Sequence, residues 1–184
     1  RLLAHTFGAG VELDVYYAAF RVPDFIFATV ASLVSATVLV PAIIRRKEEG
    51  DLSPWFHELM SSFGLAILGA SVLAWFLMPN LAQLVVPGFA GDKLVSFIML
   101  SRILLLSPIL LGLSNLFGSL AQAEHQFGLY ALSPLLYNVG IIFGIQYFYP
   151  IFGIAGLAWG VALGALAHMA VYLPLLIRRQ IFQH

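Results

Sequence analysis

The chain has 184 residues, no cysteine, nine basic and nine acidic groups, and a formal net charge of zero. It is 61% hydrophobic and 10% charged, against roughly 45–50% and 25% in soluble domains. A surface this apolar excludes a water-soluble globule; the lack of a basic patch excludes a nucleic-acid binder, and the lack of cysteine excludes disulfides, thiolate nucleophiles and cysteine-based metal sites.

Arg1–Phe7 reads as the tail of a helix, without the positive and apolar regions of a signal peptide. With Arg1 in place of Met, and few residues after Arg178 and Arg179, the sequence is expected to be a fragment of a longer chain. Residues 1–184 then form a single membrane domain. Five apolar runs follow, at Asp24–Ile44, Phe56–Met78, Leu94–Gln122, Tyr130–Tyr149 and Ile154–Ile177. About 20 apolar residues suffice to cross the bilayer as a helix, the form that satisfies its own backbone in lipid. The predicted fold is an all-α polytopic bundle of about five full transmembrane helices, preceded by the tail of another.

Basic residues at membrane edges favour the cytoplasmic side. Arg45, Arg46 and Lys47 follow the first full span, and Arg178 and Arg179 follow the fifth. Four spans separate the clusters, so both fall on one side. Leu52–Trp55 and Ala123–Phe127 are then cytoplasmic, whereas Phe7–Leu13, Pro79–Lys93 and Phe148–Gly153 face outward. The run Leu81–Val86, closed by Pro87-Gly88, is too short to span and predicts a small helix lying at the interface. Short connections predict antiparallel neighbours. Gly156, Gly160 and Gly164, with His168 on the same line, and Gly140 with Gly144 predict close helix packing.

No catalytic constellation is present. The histidines lack metal-ligand spacing, His57-Glu58 lacks a second histidine, and there is no GxSxG, Walker loop or DxxD pair. Polar groups at membrane depth remain, and their default reading is functional. Arg21 and Asp24 flank Pro23, which could bend a longer helix starting near Asp14. They either pair with each other at the interface or line a cavity. Arg102 lies inside the third span with no carboxylate three or four residues away, so it either snorkels outward or meets a partner from elsewhere. Its fork suits phosphate. Gly112, Asn115, Ser119 and Gln122 share a face below a kink at Ser107-Pro108, and Asn138 with Tyr137 faces the next helix. Such stripes either join helices or line a hydrophilic path. His168 reads as a packed, hydrogen-bonded interior histidine, with proton coupling as the alternative.

Taken in order, these residues resemble the MurJ/MviN lipid II flippase family, within the multidrug/oligosaccharidyl-lipid/polysaccharide exporter superfamily. Phe7-Gly8-Ala9-Gly10, Asp14 and Ala18-Ala19-Phe20-Arg21-Val22-Pro23-Asp24 look like the stretch joining that family's first two helices. Pro41, Pro87-Gly88-Phe89, Ser107-Pro108, Pro134 with Asn138, and Gly156-Leu157-Ala158-Trp159-Gly160 follow in the family's order. Where many relatives carry a basic pair and a Glu-Gly-Ala-Phe-like stretch, Phe27–Ser35 has no charge.

The resemblance implies the end of helix one through helix six of a two-lobed transporter. Members are thought to move an undecaprenyl-diphosphate-linked disaccharide-pentapeptide to the outer leaflet by alternating access, for cell-wall synthesis. It implies the bacterial cytoplasmic membrane, no catalysis, a lipid-linked oligosaccharide as substrate, and membrane lipids and the remaining helices as partners. No cofactor is visible in the sequence, so energy would come from ion or potential coupling. The candidate path residues are Arg21, Asp24, Arg102, Asn115 and Asn138. Alternatives are a flippase for another polyprenyl-diphosphate-linked glycan, an ion-coupled drug exporter, a non-transporting scaffold for cell-wall enzymes, and a membrane enzyme acting on lipid phosphates.

Overall fold

The computed structural model describes residues 11–32 and 35–178. Expectations that fall on Arg1–Phe7, Phe7–Gly10 and Arg179 lie outside them. The helices are α1 (Val11–Ala19), α2 (Arg21–Ser32), α3 (Ala36–Glu49), α4 (Leu52–Val85), α5 (Gly91–Leu104), α6 (Leu106–Ala123) and α7 (Phe127–Phe143). A π-helical segment, Gly144–Phe148, leads into α8 (Tyr149–Phe152), and α9 (Ile154–Ala170) and α10 (Leu173–Arg178) close the chain. No strand occurs among the described residues. Four helical stretches are long and apolar enough to cross a membrane: Leu52–Val85, Gly91–Ala123, Phe127–Phe152 and Ile154–Arg178. The fold is a polytopic all-α membrane bundle.

Its surface is apolar, as lipid requires. Leu84 is 80% exposed, and Phe25 and Ile151 are each 71% exposed. Among the described residues the fully buried polar ones include Ser71, Ser101, Ser107, Ser114, Ser119 and Ser133.

Two expectations are corrected. The span predicted at Asp24–Ile44 is divided between α2 and α3. Ser35 has extended backbone and caps α3, its hydroxyl accepting from the Thr37 N–H at 3.3 Å. A serine oxygen replaces a carbonyl from a preceding turn, so a helix can start inside the apolar run. The second correction concerns Leu81–Val86, which forms no separate helix. Helix α4 runs through Pro79 to Val85.

Proline accounts for three of the other breaks. A proline has no N–H for the carbonyl four residues earlier. Helices α1, α5 and α9 end at Ala19, Leu104 and Ala170, each four residues before Pro23, Pro108 and Pro174. At Pro79 and Pro134 the helix continues because side chains answer the freed carbonyls. Arg102 Nε donates to the Trp75 carbonyl at 3.1 Å, and Ser133 Oγ donates to the Tyr130 carbonyl at 3.1 Å.

The two ends of the bundle are defined by contacts. At one, Arg46 pairs with Asp51 at 2.5 Å and Lys47 pairs with the largely buried Glu124 at 3.0 Å. This joins the ends of α3 and α6 on the side expected to be cytoplasmic. At the other end, Arg21 Nη1 donates to the Val85 carbonyl at 2.9 Å, and the Tyr149 hydroxyl lies 3.5 Å from the Glu12 carboxylate.

Glycines bring α7, the π-helical segment and α9 together backbone to backbone. A methyl group added at Gly160 would lie 2.5 Å from Gly144 Cα and 3.1 Å from the Gly140 carbonyl oxygen. Backbone cannot yield as a side-chain tip can, so Gly160→Ala should cost about 1–3 kcal/mol. Gly69→Ala meets nothing within 4 Å and should be neutral or slightly stabilising. Thermal unfolding of the full-length protein in detergent measures both; equal effects would show that the seam is not tight.

Candidate functional site

The break before α3 opens onto a cavity of about 480 Å³. Ser35 and Ala36 form one wall, Ser114, Asn115, Gly118, Ser119 and Gln122 of α6 a second, and Tyr130, Ser133 and Pro134 of α7 a third, with His168 and Tyr172 completing it. The cavity lies in the half of the bundle nearer the Lys47–Glu124 pair, since Gln122 is only two residues from Glu124. Its lining contains hydroxyls, amides, phenols and an imidazole, with no Asp, Glu, Lys or Arg among the described residues.

Hydrogen bonds fix most of this lining. Ser114 Oγ is 2.6 Å from His168 Nδ1 and 3.2 Å from the His168 carbonyl oxygen. A hydroxyl has one proton; with it on the carbonyl, Nδ1 carries its own and donates to Oγ, leaving Nε2 an acceptor. The His168 ring meets Tyr137 and Tyr172 edge-on, with centroids 6.3 and 6.5 Å away. Ser133 spends its proton on the Tyr130 carbonyl, so in its 2.9 Å contact with Tyr172 the phenol is the donor. Ser119 Oγ donates to the Asn115 backbone carbonyl at 3.0 Å. The Asn115 side chain is exposed and makes no hydrogen bond among the described residues. It is the free amide of the cavity.

The sequence candidates do not converge on one place. Asn115 lines the cavity, as do Ser119 and Gln122 of the predicted stripe. Gly112 instead packs against α4, where an added methyl would strike Ile67 Cδ1. Asn138 donates to the Pro134 carbonyl at 2.8 Å, outside the cavity. Arg21 and Asp24 do not pair; Arg21 turns to Val85 and shares a second cleft, also about 480 Å³, with Asp14, Tyr17, Phe89 and Lys93. Asp24 is exposed in the first turn of α2. Arg102 lies on another face, over the Trp75 ring at 4.3 Å. Sequence reading missed Ser114, Ser133 and Tyr172, whose side-chain partners His168, Tyr172 and Ser133 lie 54 and 39 residues away in the chain.

A sequence model of the family described as "Lipid II flippase MurJ" matches residues 3–183. The chain belongs to the MurJ lipid II flippase family. Relatives of this family described as probable lipid II flippases MurJ include one from Buchnera aphidicola, 26% identical over 96% of this chain and 36% of its own length. Another is from Thermotoga maritima, 28% identical over 94% and 36% respectively. A Burkholderia cenocepacia protein described as lipid II flippase MurJ is 27% identical over 94% of this chain and 35% of its own. The chain thus spans about a third of the length of these MurJ relatives.

The Ser133 hydroxyl serves two partners and the Tyr172 hydroxyl one. Ser133→Ala should therefore destabilise the protein by about 1–3 kcal/mol and exceed Tyr172→Phe. A double-mutant cycle by thermal unfolding should return a coupling of at least about 0.5 kcal/mol. Additivity would mean that the 2.9 Å contact contributes nothing.

Proposed function

We propose that the full-length protein moves lipid II, a lipid-linked oligosaccharide, from the inner to the outer leaflet of the bacterial cytoplasmic membrane. This chain supplies part of one lobe, with membrane lipids and the remaining helices as its partners. The match to the family across residues 3–183 carries this reading. The movement makes and breaks no covalent bond. Chemistry along the lobe supports it: an uncharged wall of hydroxyls and amides suits the sugars and peptide amides of the headgroup, and Asn115 has an amide free to meet them. The headgroup passes from that cavity toward the cleft at the opposite end, where Arg21 and Lys93 stand beside Tyr17. Two cations there outweigh the Asp14 carboxylate and favour a diphosphate. Asp24 and Asn138 stand on exposed positions outside both sites. Arg102 is assigned differently below.

A full-length gene placed in cells depleted of their own flippase tests this. Wild type should restore growth and lipid II exposure at the outer leaflet. Arg21→Ala and Asn115→Leu, at matched expression, should each return exposure to the level of cells without the gene. A well-expressed wild type that fails to rescue would sink lipid II as the substrate. Rescue by both variants would retain the activity and remove these residues from the path.

A further inference from the structure

A groove of about 790 Å³ runs along the outside of the bundle, between α4 and the α5–α6 stretch, with Trp159 of α9 also in its lining. Its walls are almost wholly hydrocarbon and indole; Ser71 and Arg102 are the other polar groups lining it. Phe76 and Val95 on its rim are 67% and 65% exposed. A groove of this kind in a soluble protein would need a covering partner, and in a membrane lipid chains fill it. The question is why it contains an arginine.

Arg102 has one structural task, and that task uses a single N–H. Its Nε donates to the Trp75 carbonyl that Pro79 leaves without a backbone donor, and the face of its guanidinium rests on the Trp75 ring. These two contacts pin the plane against α4 and hold the charge in the groove. An arginine has five N–H groups. The four on the terminal nitrogens have no hydrogen-bond partner among the described residues. No acidic residue lines the groove. The anion that balances this charge must therefore come from outside the described chain.

Depth narrows its identity. Arg102 follows Gly91 by eleven residues, and Trp75 precedes Val85 by ten. At 1.5 Å per residue both lie about 15 Å from their helix ends. Helices about 50 Å long overhang a hydrocarbon core of about 30 Å by about 10 Å on each side. The guanidinium therefore sits roughly 5 Å inside the hydrocarbon edge, within reach of a phosphate drawn down from the headgroup layer. That edge is the one opposite the Lys47–Glu124 end.

We propose that this groove is a docking site for one anionic membrane phospholipid. Its phosphodiester is held by the terminal nitrogens of Arg102, and one acyl chain lies along the wall from Trp75 toward Leu68 and Leu106. Planar, two-pronged donation suits a phosphodiester, and a net-negative headgroup is favoured because no nearby carboxylate offsets the arginine. The site is separate from the polar cavity and from the Arg21 cleft, and does not rest on what the transporter carries.

Photo-crosslinking on the full-length protein in vesicles tests this. A benzoylphenylalanine replaces Phe76, and the vesicles contain phosphatidylglycerol and phosphatidylcholine with matched chains in equal amounts. Mass spectrometry should find phosphatidylglycerol adducts in several-fold excess. Arg102→Gln should abolish the excess while leaving phosphatidylcholine adducts unchanged, which shows that the groove persists; Arg102→Lys should keep part of the preference. Equal adducts in wild type, a preference that survives Arg102→Gln, or crosslinks to the protein's own remaining helices would each overturn the proposal. So would loss of both lipid adducts in Arg102→Gln, because Arg102 would then serve only to hold α4 against α5.

Discussion

A carbonyl without its N–H partner is the constraint around which this bundle is built. In water such a group would bind solvent; at membrane depth a donor from within the protein lets the helix run on, and without one a helix tends to stop. Both outcomes occur. Helices α1, α5 and α9 stop at the residue whose carbonyl a proline abandons, and α4 and α7 continue because Arg102 and Ser133 supply the missing donors. The interior opening follows from the same logic. Ser133 is committed to the Tyr130 carbonyl, which makes Tyr172 its donor and orients that phenol along the cavity wall.

Charge is distributed with equal economy. Lys47 and Glu124 close one end, Arg21 and Lys93 mark the other, and the cavity wall is neutral. Packing and polarity occupy different faces of the same helices. The glycine seam holds α7 and α9 backbone to backbone, whereas the cavity takes its hydroxyls and amides chiefly from α6, with Ser133 and Tyr130 of α7 and His168 of α9 facing them.

The sequence made the four long spans legible, the last three within three residues at each end, because hydropathy alone decides what enters lipid. The division of the first predicted span was not legible in that way. The run Phe27–Ser35 is uncharged, and its interruption depends on a serine acting as a cap, which hydropathy scores as a mildly polar interior residue. Leu81–Val86 failed for the opposite reason. Pro79 is a local stop signal, and the donor that overrides it comes from Arg102, on another helix and 27 residues from the Trp75 carbonyl it serves. Asn115 and the stripe with Ser119 and Gln122 were legible from helical spacing. Ser114 and Tyr172 were not, because their meaning lies in partners 54 and 39 residues distant, His168 and Ser133.

The neutrality of the cavity wall has an electrical consequence. The voltage across a membrane does work on charge and almost none on a hydroxyl or an amide. Rearranging Ser114, Asn115, Ser119 and Gln122 therefore moves no gating charge, and these four side chains give membrane potential nothing to act on.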